Sequence, residues 1–385
     1  MPRPFIIFGS PQIDQTDIDA VVAVMESGWL GTGPKVAEFE SDFARYKSVP
    51  VTNVAAVNSC TAALHLSILA ANIGPGDEVI TTPLTFCATI NAIIHSGATP
   101  VLVDIDPTTM NIDVARLEEH LTKRTKAILP VHFAGYPCQM DTIVTVAKAH
   151  GLLIIEDCAH AIETLFNERQ AGTIGDFGCF SFYVTKNVVT VEGGMVIARN
   201  PNHVERIKVL ALHGMSKDAW HRFGDSGYKH YNVVECGYKY NMTDIQAAIG
   251  IQQLRRVEAN YLRRKNVWHR YNTAFADLPI VPITSLPTNV RHAHHLYPVL
   301  VDERKLSISR DIFLQRMTDL GVGLGVHYIS IPEHPYYQKK FRWHVDDYPI
   351  ARDIGRQTAS LPLSPKLTDD DVEYIISATR LALNA

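Results

Sequence analysis

The chain has 385 residues, 46% of them hydrophobic and 20% charged, which on size alone predicts two or three folded units around a large core. A formal charge of -4 and a pI near 6.5 give no basic footprint for nucleic acid or an anionic membrane surface. No apolar run approaches the roughly 18 residues of a membrane span. The start of the chain has no signal-peptide core, and six scattered cysteines form no C-x-x-C pair. A cytoplasmic protein with reduced thiols is the expectation.

In chain order, residues 14–28 read as a helix, followed by the glycine-bearing loop Trp29-Leu30-Gly31-Thr32-Gly33-Pro34 and a second helix over about 35–47. Those glycines follow a helix and not a strand, so they make no dinucleotide fingerprint. From Val54, apolar strands alternate with helical patterns. Strands are expected at Val54–Val57, Glu78–Thr82, Thr99–Asp104, Ala127–His132 and Leu152–Asp157, with helices near 61–73, 86–96, 113–121 and 140–150. This alternation predicts an α/β fold with a mainly parallel sheet covered on both faces. Ligands of such sheets bind beyond the carboxyl ends of the strands.

A long helical pattern at 242–273 reads as a bridge into a smaller C-terminal α+β domain. There, proline-rich turns separate a strand near Leu296–Val301 from helices near 307–320 and 368–383. The expected division is a large domain over 1–250 and a bridging helix with a small domain over 251–385.

The chemistry centres on Phe180-Ser181-Phe182-Tyr183-Val184-Thr185-Lys186-Asn187, an alternating strand-like run that delivers one lysine into a turn before Gly193-Gly194. Desolvation there lowers the lysine pKa, and a neutral amine attacks carbonyls, so Lys186 is a candidate covalent anchor for a carbonyl cofactor. Asp157 ends an apolar strand, where a carboxylate can keep a pyridine ring nitrogen protonated. Asn58-Ser59-Cys60-Thr61 joins a strand to a helix and offers backbone amides and hydroxyls as a phosphate cup, to which Ser181 can add. Phe86 can stack on a flat ring, and His160 lies one turn past Asp157. No H-E-x-x-H or G-x-x-x-x-G-K-[ST] occurs, so neither a metal site of that type nor a P-loop is expected.

Taken together, these residues resemble the DegT/StrS family of sugar aminotransferases, pyridoxal-phosphate enzymes of the aspartate-aminotransferase fold. The resemblance runs through Ser59-Cys60-Thr61-Ala62-Ala63-Leu64, Gly76-Asp77-Glu78-Val79-Ile80, Glu156-Asp157-Cys158-Ala159-His160, Glu192-Gly193-Gly194, Gly237-Tyr238-Lys239-Tyr240-Asn241 and Val326-His327-Tyr328. It implies that Lys186 forms the Schiff base with pyridoxal 5'-phosphate, that Asp157 meets the pyridinium, and that Phe86 stacks on the ring. It places His160 by the ring hydroxyl and Cys60, Thr61 and Ser181 around the phosphate. It further implies that Asn241 reaches the phosphate of the other subunit in a homodimer, and that Trp29 and His327 contact the substrate. The implied reaction moves an amino group from glutamate to a keto sugar nucleotide, and the wording is nearest to enzymes that make UDP-4-amino-4-deoxy-arabinose. Val191, where relatives carry a small residue, and the insert-like Trp220–Val234 are departures. A pyridoxal-phosphate sugar dehydratase and a non-catalytic cofactor-binding regulator are the alternatives; dehydratase relatives carry histidine in place of the lysine.

Overall fold

The computed structural model describes residues 3–216, 231–280 and 286–384. Helices α1 (Gln15–Ser27) and α2 (Pro34–Tyr46) precede β1 (Val54–Val57), and the chain then winds through α3 (Cys60–Ala70), β2 (Glu78–Thr81), α4 (Cys87–His95) and β3 (Thr99–Leu102). It continues through β4 (Thr125–Ile128), α5 (Met140–His150) and β5 (Leu153–Asp157), the short β6 (Leu165–Phe166) and β7 (Arg169–Gln170), then β8 (Phe177–Ser181) and β9 (Gly194–Ala198). The main sheet has seven strands in the order β1-β9-β8-β5-β4-β2-β3, of which only β9 runs against its neighbours. Its strands are short, and β1, β5, β8 and β9 are mostly buried apolar residues, as a sheet covered on both faces requires.

Beyond the sheet, α6 (Pro201–Ala211), α7 (Asp244–Arg255) and α8 (Val257–Ala274) lead to the C-terminal part, built on an antiparallel strand pair, Tyr297–Leu300 with Thr358–Leu361. A separate apolar cluster forms there from Val267, Trp268 and Tyr271 of α8, those strands and the helix Asp369–Asn384. Ile6 belongs to this cluster and pairs with Val322, so the N-terminal segment is stitched to the C-terminal part.

Several expected elements change in the structure. The strand run through the lysine motif ends at Ser181, because β9 begins only at Gly194 and Phe182 bonds instead to the turn residues Gly193 and Thr190. The helix expected at 113–121 is two 3-10 turns, Val114–Arg116 and Glu118–His120, which bury Leu117 between them. The long 242–273 helix breaks at Arg256, whose φ of -108° and ψ of 7° leave the helical range. Arg256 is held there by Asp14 at 3.0 Å and by Asp17 of α1. The helix expected at 307–320 starts at Arg310, capped by Ser309, since Ser307 turns left-handed at φ 59°. All six cysteines are free, and no helix among the described residues is long and apolar enough to cross a membrane. Of the insert-like stretch, residues 220–230 lie outside the described residues.

Candidate active site

Strand direction assembles the site. Val57 and Ser181 both stand opposite Gly194, and Asp157 stands beside Cys179, so the carboxyl ends of β1, β8 and β5 meet at one edge of the sheet. The helix α3 starts just beyond β1. Ser59 caps it by accepting from the Ala62 amide at 3.1 Å, while the amides of Cys60 and Thr61 have no acceptor among the described residues. A Cβ on Gly194 would sit 2.5 Å from the Ser59 carbonyl group, so only glycine lets β9 pack against this turn. Ser181 at the end of β8 flanks the same turn across Gly194. Two open amides at a helix N-terminus beside two hydroxyls form a donor set for a phosphate dianion.

Strand alternation sends Glu156 and Asp157 to opposite faces. Glu156 accepts from the amides of Ile174 at 2.8 Å, Gly175 at 2.6 Å and Gly172 at 2.8 Å, and from His132 Nε2 at 3.0 Å. Burial opposes its charge, but the His132 and backbone hydrogen bonds prevail and hold its carboxyl below the ordinary range. Cys158 is the third member of a buried cluster with His132 and Glu156, whose carboxylate is already saturated by these donors. Glu156 is thus a structural clamp between β5 and the 172–175 turn.

Asp157 is different. Its Oδ2 accepts from Thr89 Oγ1 at 2.8 Å and its Oδ1 from the Ala159 amide at 3.1 Å, which leaves a lone pair on each oxygen. Thr89 is in turn 2.7 Å from the Thr85 hydroxyl. Burial raises the Asp157 pKa, against the opposing pull of the Ala159 amide, Thr89 and Lys186. A buried carboxylate with spare lone pairs and few donors is the partner a pyridinium N–H requires.

Lys186 lies in the turn beyond β8, its amide bonded to the Tyr183 carbonyl at 2.8 Å. Desolvation lowers its amine from 10.5 to about 8, while Cys60 and Asp157 pull the other way. Burial raises the Cys60 thiol well above its ordinary value, with Asp157 adding to the rise and Lys186 opposing it. Cup, carboxylate and amine therefore feel one another, and the three sequence motifs converge on one place.

His160 is buried and neutral, its pKa held well below the ordinary value by desolvation and then by Lys186. Its Nδ1 accepts from the Ala134 amide at 3.2 Å, so the proton sits on Nε2, 3.1 Å from the Tyr328 hydroxyl. The His295 ring lies 4.4 Å from it. Phe86 caps α4 with its ring 57% exposed, 5.9 Å from that of Tyr328. Burial and Lys186 push His327 to about 3, and its Nδ1 lies 2.9 Å from the Ser360 hydroxyl. His160, His295 and His327 all feel the charge of the lysine, and Tyr328 links His160 to Phe86.

Trp29 lies elsewhere, whereas Asn241 pairs with Val57 at the end of β1, just before the cup. Trp29, 46% exposed, donates to the Thr32 carbonyl at 3.3 Å, and Asn241 Nδ2 donates to the Thr32 hydroxyl at 2.7 Å. Neither has an interaction with Lys186 or Asp157 among the described residues. Sequence reasoning missed Thr89, Tyr328, His295 and the side-chain role of Asn187. Thr85-x-x-x-Thr89, one helical turn apart after β2, was a usable signal for the first.

Residues 11–380 match the DegT/DnrJ/EryC1/StrS aminotransferase family. The chain belongs to that family. It is 48% identical over 377 residues to the spore coat polysaccharide biosynthesis protein SpsC of Bacillus subtilis, covering 98% of this chain and 96% of SpsC. Among solved structures, the PMP form of Spr1654 from Streptococcus pneumoniae superposes with a TM-score of 0.91 at 35% identity, covering 98% of this chain and 99% of that one. PseC of Helicobacter pylori, an aminotransferase involved in the biosynthesis of pseudoaminic acid, superposes with a TM-score of 0.90 at 28% identity, over 98% or more of both chains (99% of each). The expected fold, that of pyridoxal-phosphate-dependent transferases, is therefore the observed one. The chain is a sugar aminotransferase whose cofactor is pyridoxal phosphate, and the open amides of the cup, the free lone pairs of Asp157 and the depressed amine of Lys186 fit that group.

Proposed function

We propose that this enzyme transfers the amino group of glutamate to the keto group of a nucleotide-linked sugar, most simply a UDP-4-keto sugar, to make an amino sugar nucleotide. The pairing of a desolvated Lys186 amine with a buried Asp157 carboxylate at one sheet edge carries this reading. Pyridoxal phosphate, when bound, supplies a carbonyl that condenses with amines and a ring that accepts the electron pair released at the substrate carbon.

The chain's own residues supply the rest. An amine with a pKa of about 8 is partly neutral at pH 7, so Lys186 can act as nucleophile and then as the base and acid that moves a proton between carbons. Asp157 keeps the ring nitrogen protonated, and Thr89 and the Ala159 amide hold its carboxylate in place. Cys60, Thr61 and Ser181 hold the phosphate. Phe86 covers the ring from its exposed position at the α4 cap, and neutral His160, fixed by Tyr328, borders it.

The family resemblance supports further parts of this reading. Asn241, whose buried Oδ1 has no partner among the described residues, serves the phosphate site of a second subunit in a homodimer. Trp29 and His327 contact the sugar nucleotide. The large and small units divide near residue 250, the enzyme works in the cytoplasm, and its product feeds polysaccharide or lipopolysaccharide assembly. A dehydratase reading has against it the lysine at position 186, and a regulator reading has against it the complete set of Lys186, Asp157 and cup. The test is turnover: purified enzyme with glutamate and UDP-, GDP- or dTDP-4-keto sugars, followed by mass spectrometry of the product. An amino sugar nucleotide together with 2-oxoglutarate is expected. A deoxy-keto product without amine, or no product with any sugar, would overturn the assignment.

A further inference from the structure

The Lys186 turn is only partly held by packing. Behind it lies a cavity of about 30 Å³, room for a water or two, bordered by Val184, Thr185 and Lys186 on the turn and by Asn260 and Arg264 of α8. Side chains fix a loop where they fill the space behind it; here Thr185 packs against Gly9, but the void beside it leaves part of the turn to be set by polar contacts.

Asn187, the next residue, provides such contacts. Its Nδ2 donates to Glu163 Oε2 at 2.8 Å and to the Ala293 carbonyl at 3.3 Å. Its Oδ1 lies 2.9 Å from His295 Nδ1, and since a side-chain amide oxygen only accepts, His295 must carry its proton there. All three partners are buried. Burial, then Lys186, keeps His295 neutral. Glu163 is itself anchored by Arg264, an ion pair whose side chains are 0% and 2% exposed. A charged acceptor roughly doubles the strength of the Asn187 hydrogen bond over a neutral one. Desolvated charges this deep are also fixed in place, because moving either would leave the other unpaired.

We propose that Asn187 is a positioning residue for Lys186, pinned by the Glu163–Arg264 pair and by His295, so that α8 and the lysine turn move as one hydrogen-bonded unit. This inference rests on the reading of Lys186 as the cofactor-bearing lysine. Arg264 lies in the helix that carries Val267, Trp268 and Tyr271 into the C-terminal apolar cluster, so the placement of the amine is tied to the packing of that part of the chain. His295 also lies against His160, which makes the same network border the ring site.

The experiment uses purified full-length apoprotein and three variants: Asn187→Ala, Asn187→Leu, which keeps the volume, and Lys186→Ala. Pyridoxal phosphate is titrated by its protein-dependent visible band, the pH midpoint of that band is measured, and deuterium uptake is followed in peptides spanning 183–190. Both Asn187 variants should bind the cofactor at least about 10-fold more weakly, shift the pH midpoint and exchange faster at 183–190, with little change at β5 or α3. Parent affinity, an unmoved midpoint and unchanged exchange in whichever Asn187 variant folds would overturn the positioning role while leaving Lys186 in its place. A parent-like band in Lys186→Ala would instead remove the reading of Lys186, and the inference with it.

Discussion

Replacing Lys186 by methionine should stabilise the apoprotein at neutral pH, because the folded chain holds this amine where its charge is disfavoured. The amine drops from 10.5 to about 8 on folding, mainly through desolvation. Below pH 8 both folded and unfolded chains carry the proton, and the folded state bears the full cost of the charge. That cost is about 3 kcal/mol, from a shift of about 2.5 pH units at roughly 1.36 kcal/mol each. Between pH 8 and 10.5 the unfolded chain binds more protons than the folded one, so the parent gains stability as pH rises and the difference closes. For 385 residues, an unfolding entropy of roughly 2.1 cal/mol/K per residue turns about 3 kcal/mol into a rise of about 4 °C in Tm. Thermal melts of parent and Lys186→Met apoprotein at pH 7 and pH 9.5 check this. The gain should fall by more than half at the higher pH. An equal gain at both, or a loss at pH 7, would refute the desolvated amine.

Three further variants probe the neighbours of the lysine. Asp157→Asn should retain cofactor but slow both halves of the transfer on the order of 10²-fold, the scale of losing one preorganised electrostatic contact, as single-turnover rates with glutamate and with a keto sugar would report. Thr89→Val removes a hydrogen bond that favours the charged carboxylate, so the Asp157 pKa should rise further. The acid limb of the kcat/KM profile should then move up by about one pH unit, the size set by a charged hydrogen bond of roughly 1.5 kcal/mol, and an unmoved limb would show that Thr89 does not act on Asp157. Asn241→Ala should weaken cofactor retention and make it depend on protein concentration; a fully active monomer in sedimentation would contradict the shared site.

The parts of the site that sequence made legible are those whose chemistry is local. Strand β5 is a run of apolar residues that ends in a carboxylate, and the position of Asp157 at the sheet edge follows from that pattern. The cup could be read for the same reason, since a strand, a serine cap and a helix start are contiguous at 54–60. The turn that holds Lys186 was legible as a motif, while the strand leading into it was placed too late. Alternation of side chains continues through Phe182 and Val184, but pairing depends on where a partner strand begins, and that information lies at Gly194. The break at Arg256 was hidden likewise, because its ion partners Asp14 and Asp17 are far away in the chain. Nothing in residues 160, 187 and 295 taken singly announces that they touch; only the fold brings the three loops that carry them together.

Absorbance tests the central claim most directly. Parent enzyme loaded with pyridoxal phosphate should show a visible band that bleaches with glutamate and returns when a keto sugar nucleotide is added, and Lys186→Ala prepared alongside should show no such band of its own. A parent without the band after incubation with the cofactor, or a Lys186→Ala protein that matches the parent through the whole cycle, would contradict the account.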